Sequence, residues 1–249
     1  MITKNHLKKI INYLGYDIHK KNTGELEFYK NDLKIIDAVK PYTLTTKERI
    51  LSLIEATRYV LKNNIEGDFV ECGVWKGGSI MTMIKILQEY KSKREIHLFD
   101  TFAGMSKPTD NDINITNEKA SDFFNKTKIN SASSNWCNVS IGDVKKNIDS
   151  LAYDKEKIHF IVGKVEDTIP KQAPQKISLL RLDTDWYEST KHELVHLFPR
   201  LTKGGIIIID DYWSWKGSKM AADEYFLHNN IPIFLKTTDI FGGVIGVKI

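Results

Sequence analysis

Two short apolar runs that each end in a pair of aspartates constrain this chain more than any other feature. The first, LLRLDTDWYE, contains Asp183 and Asp185, and the second, IIIIDDY, contains Asp210 and Asp211. Runs of this length that are rich in Ile and Leu are typical of strands buried on both faces of a parallel sheet. Charged residues directly after such strands belong to the carboxyl edge of the sheet, where open α/β folds bind ligands.

The four carboxylates predict a metal site if the two strands are neighbours. Adjacent strands lie about 4.8 Å apart, and uncompensated carboxylates at that separation repel one another. A divalent cation removes this conflict, and ligands made only of oxygen favour Mg²⁺, Mn²⁺ or Ca²⁺ over zinc. A carboxylate that stays off the metal can act as a general base. The residues alone leave open which of the four that is, and solvated acids that cap the following helices are the alternative.

Strands alternate with helices along most of the chain, which predicts a doubly wound, mostly parallel α/β sheet. The strands of this parallel part are predicted at 69–72, 96–99, 158–162, 177–183 and 206–210. Two more, 231–236 and 243–248, are predicted to form an antiparallel hairpin that closes the sheet. A helix is predicted over 46–62 with Thr46 as its N-cap, whereas 17–40 is expected to be a polar connection.

The length of 249 residues suits one large domain with an extension. We divide the chain into an N-terminal helical extension or lid, 1–45, and a main domain, 46–249. An amphipathic helix predicted over 2–16 has no obvious docking partner, which favours a homodimer or a higher homo-oligomer. Residues 103–140 are polar and too long for an ordinary βα loop, and such insertions are usually lids or binding loops. We expect this insertion to bind substrate.

Composition excludes several classes of function. The net charge of +4 comes with lysines that are scattered rather than clustered, so we expect no nucleic-acid partner. No apolar run approaches the roughly 18 residues of a membrane span, and the polar N-terminus does not resemble a signal peptide. Cys72 and Cys137 fit no zinc or redox motif. We therefore expect a cytoplasmic protein without a membrane span.

A glycine-rich turn follows the first strand, and an aspartate ends the second. The turn begins at Gly73 with the spacing G-x-x-x-G-G, which is not the pattern of nicotinamide cofactors. Glycines there let a ligand approach the backbone, and Asp100 can accept hydrogen bonds from ribose hydroxyls, so the pair favours an adenosine cofactor. Glu71, directly before the turn, disfavours a pyrophosphate and tolerates the sulfonium of S-adenosylmethionine. A plain tight turn with a helix cap is the alternative.

Five segments of the chain resemble the macrocin/mycinamicin/novobiocin-type O-methyltransferases, in the same order and spacing. They are GDFVECGVWKGGS (67–79), HLFDTFAGM (97–105), GKVEDTIP (163–170), LRLDTDWYEST (181–190) and GGIIIIDDY (204–212). The resemblance covers 42–249 and implies a Rossmann-like sheet of the class I methyltransferase type. It also implies an enzyme that uses S-adenosylmethionine and Mg²⁺ (or Mn²⁺) to methylate a sugar hydroxyl.

The resemblance assigns a role to each position that matches its motifs. It implies that Asp183, Asp210 and Asp211 hold the metal and that Asp185 is the general base. The residues it implies for cofactor binding are Glu71, Cys72, Gly73, Val74, Gly77, Gly78, Ser79, Asp100, Thr101, Phe102, Val165, Glu166 and Asp167, with Tyr42 and Thr43 in a segment that folds over the cofactor. The insertion and the N-terminal part depart from the family pattern, so its antibiotic substrates are not carried over. A sugar of a natural product, surface polysaccharide or other glycoconjugate is the expected acceptor.

Two rival functions compete with this one. A metal-dependent glycosyltransferase is the first, because Asp183-Thr184-Asp185 is a DxD motif at a strand end. A non-catalytic binding protein of the same fold is the second, and the four intact aspartates argue against it. Trp213 and Trp215 follow the second aspartate pair, where tryptophans either stack on sugars or simply pack. Arg181 lies within a buried strand and is expected to need a carboxylate partner.

Overall fold

A seven-stranded sheet lies at the centre of the structure, a computed structural model that describes residues 30–249. Its strands are β1 (Asp68–Cys72), β2 (Ile96–Asp100), β3 (Ile158–Val162), β4 (Ile177–Leu182), β5 (Leu201–Ile209), β6 (Leu235–Thr237) and β7 (Val244–Val247). The strand order is β3-β2-β1-β4-β5-β7-β6. Strands β1 to β5 are parallel, whereas β7 pairs antiparallel with both β5 and β6. The predicted doubly wound sheet with a closing antiparallel hairpin is confirmed.

Helices connect the strands. They are α1 (Lys30–Val39), α2 (Lys47–Lys62), α3 (Gly78–Glu89), α4 (Ala120–Thr127), α5 (Ile141–Asp149), α6 (Val165–Thr168), α7 (Tyr187–Leu197) and α8 (Lys216–His228), with 3-10 turns at Lys40–Tyr42, Lys155–Lys157 and Phe198–Arg200. Helix α2 begins as predicted, because the Thr46 hydroxyl accepts the N–H of Arg49 at 3.2 Å. The polar connection expected over 17–40 is wrong for α1, where Ile35, Ile36 and Val39 form a buried stripe. Within residues 30–249, no helix is both long and apolar enough to cross a membrane.

Strands β1, β4 and β5 end at the same level of the sheet, and this register creates the site. Leu182 of β4 is aligned with Cys72 of β1 and with Ile209 of β5. The next residues continue the ladder, since the Asp183 N–H donates to the Cys72 carbonyl at 2.8 Å and the Asp210 N–H to the Leu182 carbonyl at 2.9 Å. The two aspartate pairs therefore lie side by side at the carboxyl edge, as the sequence predicts.

Strand β5 begins earlier than predicted. The expected strand was 206–210 after a Gly204-Gly205 turn, but β5 already starts at Leu201. Its pairing with β4 jumps from Ile177–Leu201 to Leu179–Ile206, so the extra residues form a bulge. Gly204 takes φ +82°, which a glycine adopts without strain.

The insertion 103–140 is anchored at the edge of the sheet that carries the aspartates. Asp112 is 1% exposed and accepts the N–H of Tyr187, the first residue of α7, at 2.8 Å. Gly217 in α8 makes room for this contact, because a Cβ there would lie 2.2 Å from Asp112 Oδ1. Residues Ile35–Ile249 form one compact unit that contains the insertion. The division into 1–45 and 46–249 stays a prediction, and the helix over 2–16 lies outside the described residues.

Candidate active site

A cavity of about 290 Å³ opens at the carboxyl edge of the sheet, beside the glycine turn after β1. Part of its wall comes from 42–45, and the insertion contributes Trp136 and Cys137. The predicted site residues that line it are Tyr42, Thr43, Gly73, Val74, Gly78, Ser79, Asp100, Thr101, Val165, Glu166, Asp183, Asp185, Asp210 and Asp211. One cavity therefore brings together most of the residues that the sequence singled out.

Some predicted cofactor residues do not line the cavity. They are Glu71, Cys72, Gly77, Phe102 and Asp167. Alternate residues of a strand point to opposite faces, so Cys72 faces the hydrophobic core while Glu71, 1% exposed, turns towards Arg181. Gly77 faces α5, where a Cβ would meet the Ile148 side chain at 3.4 Å. These five residues do not line the cavity, and their role in cofactor binding stays a prediction.

The glycine turn and the end of β4 approach each other closely. Gly73 has φ +84°, and a Cβ on it would lie 1.9 Å from the carbonyl oxygen of Asp183. Asp100 holds the turn in place, because its Oδ2 accepts the N–H groups of Val74 at 2.6 Å and Trp75 at 3.1 Å. Its Oδ1 accepts the N–H of Phe102 at 2.8 Å. Asp100 therefore holds the backbone of the turn, but it is not the helix cap offered as the alternative, because the N-cap of α3 is Gly77, where no side chain caps the helix.

Replacing Gly73 with alanine is expected to destabilise the protein by more than about 1 kcal/mol, because alanine is strained at positive φ and collides with β4. The collision involves the backbone of Asp183, so cation binding should weaken as well. Gly142→Ala is the matched control, since the nearest atom to its Cβ is Ser140 Oγ at 3.7 Å and the site is in helix α5. Urea unfolding of both variants checks the prediction, which equal stabilities would contradict.

Three carboxylates converge inside the cavity. Asp183, Asp185 and Asp211 each offer one oxygen, and these oxygens lie within 4.8 Å of one another. Asp185 has φ +67°, a conformation that is uncommon for residues other than glycine and is often found at functional sites. Among the described residues, none makes a hydrogen bond to the buried Oδ2 of Asp211. This grouping offers a set of oxygen ligands that is open on one side.

The electrostatics of this cluster favour an added positive charge. Burial raises the pKa of Asp185 to about 7. A hydrogen bond with Asp211 opposes this rise in pKa, whereas the negative charge of Asp183 adds to it. Burial also raises the pKa of Asp183 and of Asp211 well above its usual range. Arg181 opposes the rise at Asp183, whereas the neighbouring Asp185 adds to the rise at Asp211. A bound cation would relieve this repulsion.

Arg181 is the buried counter-charge behind the cluster. It is 3% exposed, and its Nη1 donates to Glu71 Oε1 at 2.5 Å and to Asp183 Oδ2 at 2.7 Å. Burial would lower the pKa of Arg181, but the surrounding carboxylates outweigh it and keep the guanidinium charged. Burial raises the pKa of Glu71 to about 7 against the pull of Arg181. The predicted need of Arg181 for a carboxylate is confirmed, because it pairs with Glu71, whose role in cofactor binding stays a prediction.

Asp210 lies beside the three-carboxylate group but outside it. Arg49 Nη1 donates to its Oδ2 at 2.7 Å, and Arg181 Nη2 lies 2.9 Å from its Oδ1. The structure therefore groups Asp185 with Asp183 and Asp211, whereas the resemblance implied that Asp210 is the third ligand. The difference arises because two arginines hold Asp210 while Asp185 turns into the cavity. The role of Asp210 as a ligand stays a prediction.

Arg49 and Trp136 are among the cavity-lining residues that sequence reasoning did not assign to the site. Arg49 lies in the first turn of α2, where the helix dipole disfavours a cation. This unfavourable position is the signal in the sequence that nearby carboxylates compensate the charge of Arg49. Trp136 packs edge-to-face against Trp186 and in a tilted arrangement against Trp215, with ring centres 5.6 Å and 5.9 Å away. Neither Trp213, which is 46% exposed, nor Trp215, which packs against Trp136, lines the cavity.

The strand order, the glycine turn after β1 and the acidic cluster after β4 and β5 together define a methyltransferase of the class I, Rossmann-like type. The solved structure of the O-methyltransferase NovP superimposes with a TM-score of 0.73 and 28% sequence identity, covering 83% of this chain and 82% of that chain. The predicted fold class is confirmed.

The family follows from the sequence comparisons. The model of Macrocin-O-methyltransferase (TylF) matches residues 18–245, so this chain belongs to that family of O-methyltransferases. Demethyldecarbamoylnovobiocin O-methyltransferase of Streptomyces niveus is 29% identical over 80% of this chain and 72% of its own length. The 8-demethyl-8-(2,3-dimethoxy-alpha-L-rhamnosyl)-tetracenomycin-C 4'-O-methyltransferase of Streptomyces olivaceus is 30% identical over 69% of this chain and 62% of its own length. Family membership argues against the glycosyltransferase and the non-catalytic alternatives.

Proposed function

We propose that this protein transfers a methyl group from S-adenosylmethionine to a hydroxyl of a sugar, with a divalent cation and an aspartate base. The observation that carries the proposal is the convergence of Asp183, Asp185 and Asp211 in the cavity that the glycine turn borders. The tetracenomycin relative supports the acceptor class, because its name describes a 4'-O-methyltransferase of a compound that carries a dimethoxy-rhamnosyl group.

The cofactor is proposed to lie along the glycine turn and the end of β2. The turn from Gly73 to Ser79 would hold its methionine end, and Asp100 its ribose hydroxyls. Val165 and Glu166, at the start of α6, would border the adenine, while Tyr42 and Thr43 would cover the cofactor. The uncompensated carboxylates nearby favour the sulfonium, whose positive charge disappears when the methyl group is transferred.

The residues at the aspartate cluster fit a hard divalent cation. Asp183 and Asp211 are proposed to hold it, because their oxygens converge and Oδ2 of Asp211 is buried without a hydrogen-bond partner among the described residues. Carboxylate oxygens suit Mg²⁺ or Mn²⁺. A cation bound there lowers the pKa of an acceptor hydroxyl, as it does for bound water.

Asp185 is proposed to receive the proton of that hydroxyl. It lies in the same cluster as Asp183 and Asp211, so a hydroxyl placed between these carboxylates is within its reach. Its left-handed backbone turns the side chain into the cavity rather than along the strand. The hydroxyl oxygen then attacks the methyl carbon, the C–S bond breaks, and S-adenosylhomocysteine leaves as a neutral thioether. The protein contributes mainly position and charge.

The wall that faces this site suits a sugar acceptor. Trp136 reaches it from the insertion and is braced by Trp186, whose Nε1 donates to the Ser106 carbonyl at 3.0 Å. An indole face next to acidic groups binds the C–H face of a sugar while its hydroxyls meet the carboxylates. We expect an acceptor with two adjacent hydroxyls.

Methyl transfer from labelled S-adenosylmethionine tests the proposal with a panel of deoxyhexose glycosides and, as the contrasting class, catechols. Each acceptor is assayed with Mg²⁺, with EDTA, and with Mg²⁺ restored. Transfer to glycosides that EDTA stops and Mg²⁺ restores is the expected result. Methylation of catechols alone would contradict the sugar acceptor, and full activity in EDTA would contradict the cation. A thermal shift with S-adenosylhomocysteine, but not with a uridine-diphosphate sugar, is the expected binding control.

A further inference from the structure

Arg49 joins three parts of the chain that are distant in sequence. It belongs to the first turn of α2, and its Nη1 donates to Asp210 Oδ2 at 2.7 Å. Its Nε donates to Oδ2 of Asp239, in the loop between β6 and β7, at 3.0 Å. The Arg49 side chain is 11% exposed, so both contacts are largely shielded from water. This guanidinium therefore holds one carboxylate of the site and one carboxylate of the closing hairpin at the same time.

The contact between Arg49 and Asp239 is part of a hydrogen-bond network rather than an isolated surface ion pair. Thr46, the N-cap of α2, donates its hydroxyl proton to the same Asp239 Oδ2 at 2.7 Å. The other oxygen of Asp239 accepts the N–H groups of Gly242 at 2.9 Å and Phe241 at 3.1 Å. Gly243 leaves space for the arginine, because a Cβ there would lie 3.0 Å from Arg49 Nε. The first turn of α2 is thus fixed to the hairpin by its cap and by its arginine.

The contact with Asp210 fixes a carboxylate next to the catalytic cluster. Arg49 and Arg181 engage the two oxygens of Asp210 separately, so the carboxylate is held from both sides. Asp210 is 4% exposed. The following residue, Asp211, supplies one oxygen of the convergent group, so the orientation of Asp210 restricts where Asp211 can point.

The segment directly before α2 forms part of the cavity wall. Tyr42, Thr43, Leu44 and Thr45 all line the cavity, and Arg49 lines it as well. The Thr43 and Thr45 hydroxyls lie 2.7 Å apart, so this stretch is internally bonded. A Cβ on Gly78 would lie 2.6 Å from the Tyr42 carbonyl, which shows that the wall packs directly on the start of α3. Because 42–45 directly precede α2, the contacts that fix the first turn of α2 also fix the position of this wall.

We propose that Arg49 is a positioning residue that ties the wall 42–45 to Asp210, so that the cofactor cavity and the aspartate cluster keep a fixed relative position. This inference rests on the proposed function, because it assigns the wall to the cofactor and the cluster to the cation. Arg49 acts through Asp210 and through the wall. Its loss therefore weakens two binding events that involve different ligands.

The test compares four variants of the full chain: Arg49→Gln, Arg49→Lys, Asp239→Asn and, as the control, Arg58→Gln. Arg58 lies on the same helix and pairs with Glu89 at 3.2 Å, far along α2 from the cavity lining. Calorimetry measures binding of Mg²⁺ and of S-adenosylhomocysteine separately, and steady-state kinetics gives kcat and the KM for S-adenosylmethionine. Thermal unfolding reports whether each variant is folded.

Arg49→Gln is expected to weaken the binding of both Mg²⁺ and S-adenosylhomocysteine by about 10- to 100-fold, the range for residues that orient a metal site from outside its ligands. The loss of a fixed Asp210, and with it of a fixed Asp211, should outweigh the net negative charge that the substitution adds near the cation. Arg49→Lys should recover part of this loss, because an ammonium keeps the positive charge but lacks the planar fork of donors with which the guanidinium reaches two carboxylates. Asp239→Asn should raise the KM for S-adenosylmethionine with little change in Mg²⁺ binding, since the Asp210 contact persists. Arg58→Gln should match the unmodified protein.

Unchanged binding of both ligands in folded Arg49→Gln would overturn the inference. So would a loss confined to kcat with both affinities intact, because that result would make Arg49 part of the chemical step. If Arg49→Gln does not fold, Arg49→Lys and Asp239→Asn decide the matter by the split between KM and Mg²⁺ affinity. Failure of the unmodified protein to bind Mg²⁺ and S-adenosylhomocysteine would instead overturn the proposed function, and this inference with it.

Discussion

Asp185→Asn is expected to slow methyl transfer by about 10²- to 10⁴-fold, the usual contribution of a positioned general base. Asparagine preserves the size and the left-handed backbone preference of the position, which asparagine tolerates better than most residues. The loss should therefore appear in kcat, while S-adenosylmethionine binding stays close to that of the unmodified protein. Single-turnover rates at saturating cofactor and acceptor provide the measurement.

The matched variant is Asp210→Asn, which separates the two arrangements of the aspartates. If Asp185 is the base, Asp185→Asn keeps the affinity for Mg²⁺ and loses the chemical step. If Asp185 is instead the third ligand, as its place within the convergent group allows, Asp185→Asn lowers the affinity for Mg²⁺ and Asp210→Asn leaves it unchanged. Calorimetric titration of Mg²⁺ into both variants distinguishes these outcomes, and a loss of affinity in Asp185→Asn alone would contradict the assignment of Asp185 as base.

The parts of the fold that the sequence predicted are those that depend on local pattern. The apolar runs of β4 and β5 are buried almost throughout, so their strand character and the placement of the aspartates follow directly from the residues. The glycine turn is predictable for the same reason, because the positive φ of Gly73 is a conformation that glycine adopts without strain. Each of these features is determined within a few residues.

The parts that the sequence did not predict depend on pairing between distant segments. Arg49 and Asp210 are 161 positions apart, and no spacing rule relates them. The carboxylate partner of Arg181 is a second example, because the sequence predicts that such a partner exists but does not identify it as Glu71 on the neighbouring strand. Strand position sets the depth of a residue in the sheet, whereas its ionic partner depends on which strands become neighbours.

The site balances an excess of buried carboxylates with two arginines, one on each side of Asp210. Arg181 serves Glu71, Asp183 and Asp210 from within the sheet, while Arg49 approaches from the segment that closes the cavity. The carboxylates that neither arginine contacts, Asp185 and Asp211, are the ones that face the open side of the cluster. This distribution leaves negative charge where a cation and a sulfonium are proposed to bind.

Arg181→Gln is expected to lower the free energy of unfolding by about 3–5 kcal/mol, the range for removing one partner of a buried ion pair. The guanidinium is 3% exposed, and its loss leaves Glu71, itself 1% exposed, without its charge partner. Asp183 and Asp210 lose a partner at the same time. Urea unfolding in EDTA measures the effect without any contribution from a bound metal. Arg58→Gln, which removes a partly exposed pair, should cost no more than about 1 kcal/mol.

The size of this loss should depend on pH in a definite direction. The pKa of Glu71 is already raised to about 7, chiefly by burial, and removing Arg181 removes the main charge that opposes this rise. A carboxyl whose pKa is higher in the folded than in the unfolded state binds its proton more tightly when folded, so stability increases as the pH falls. The free energy of unfolding of the variant should therefore increase as the pH is lowered from about 8 to about 5.5. This interval lies roughly around the raised pKa of Glu71 and above its unfolded value of about 4.3. The double variant Arg181→Gln with Glu71→Gln should be more stable than Arg181→Gln, most clearly at high pH, because it removes the unpaired charge of Glu71.

A loss of stability that is the same at both ends of this pH interval, with or without Glu71→Gln, would contradict this explanation. It would mean that lost packing rather than unpaired charge dominates the role of Arg181.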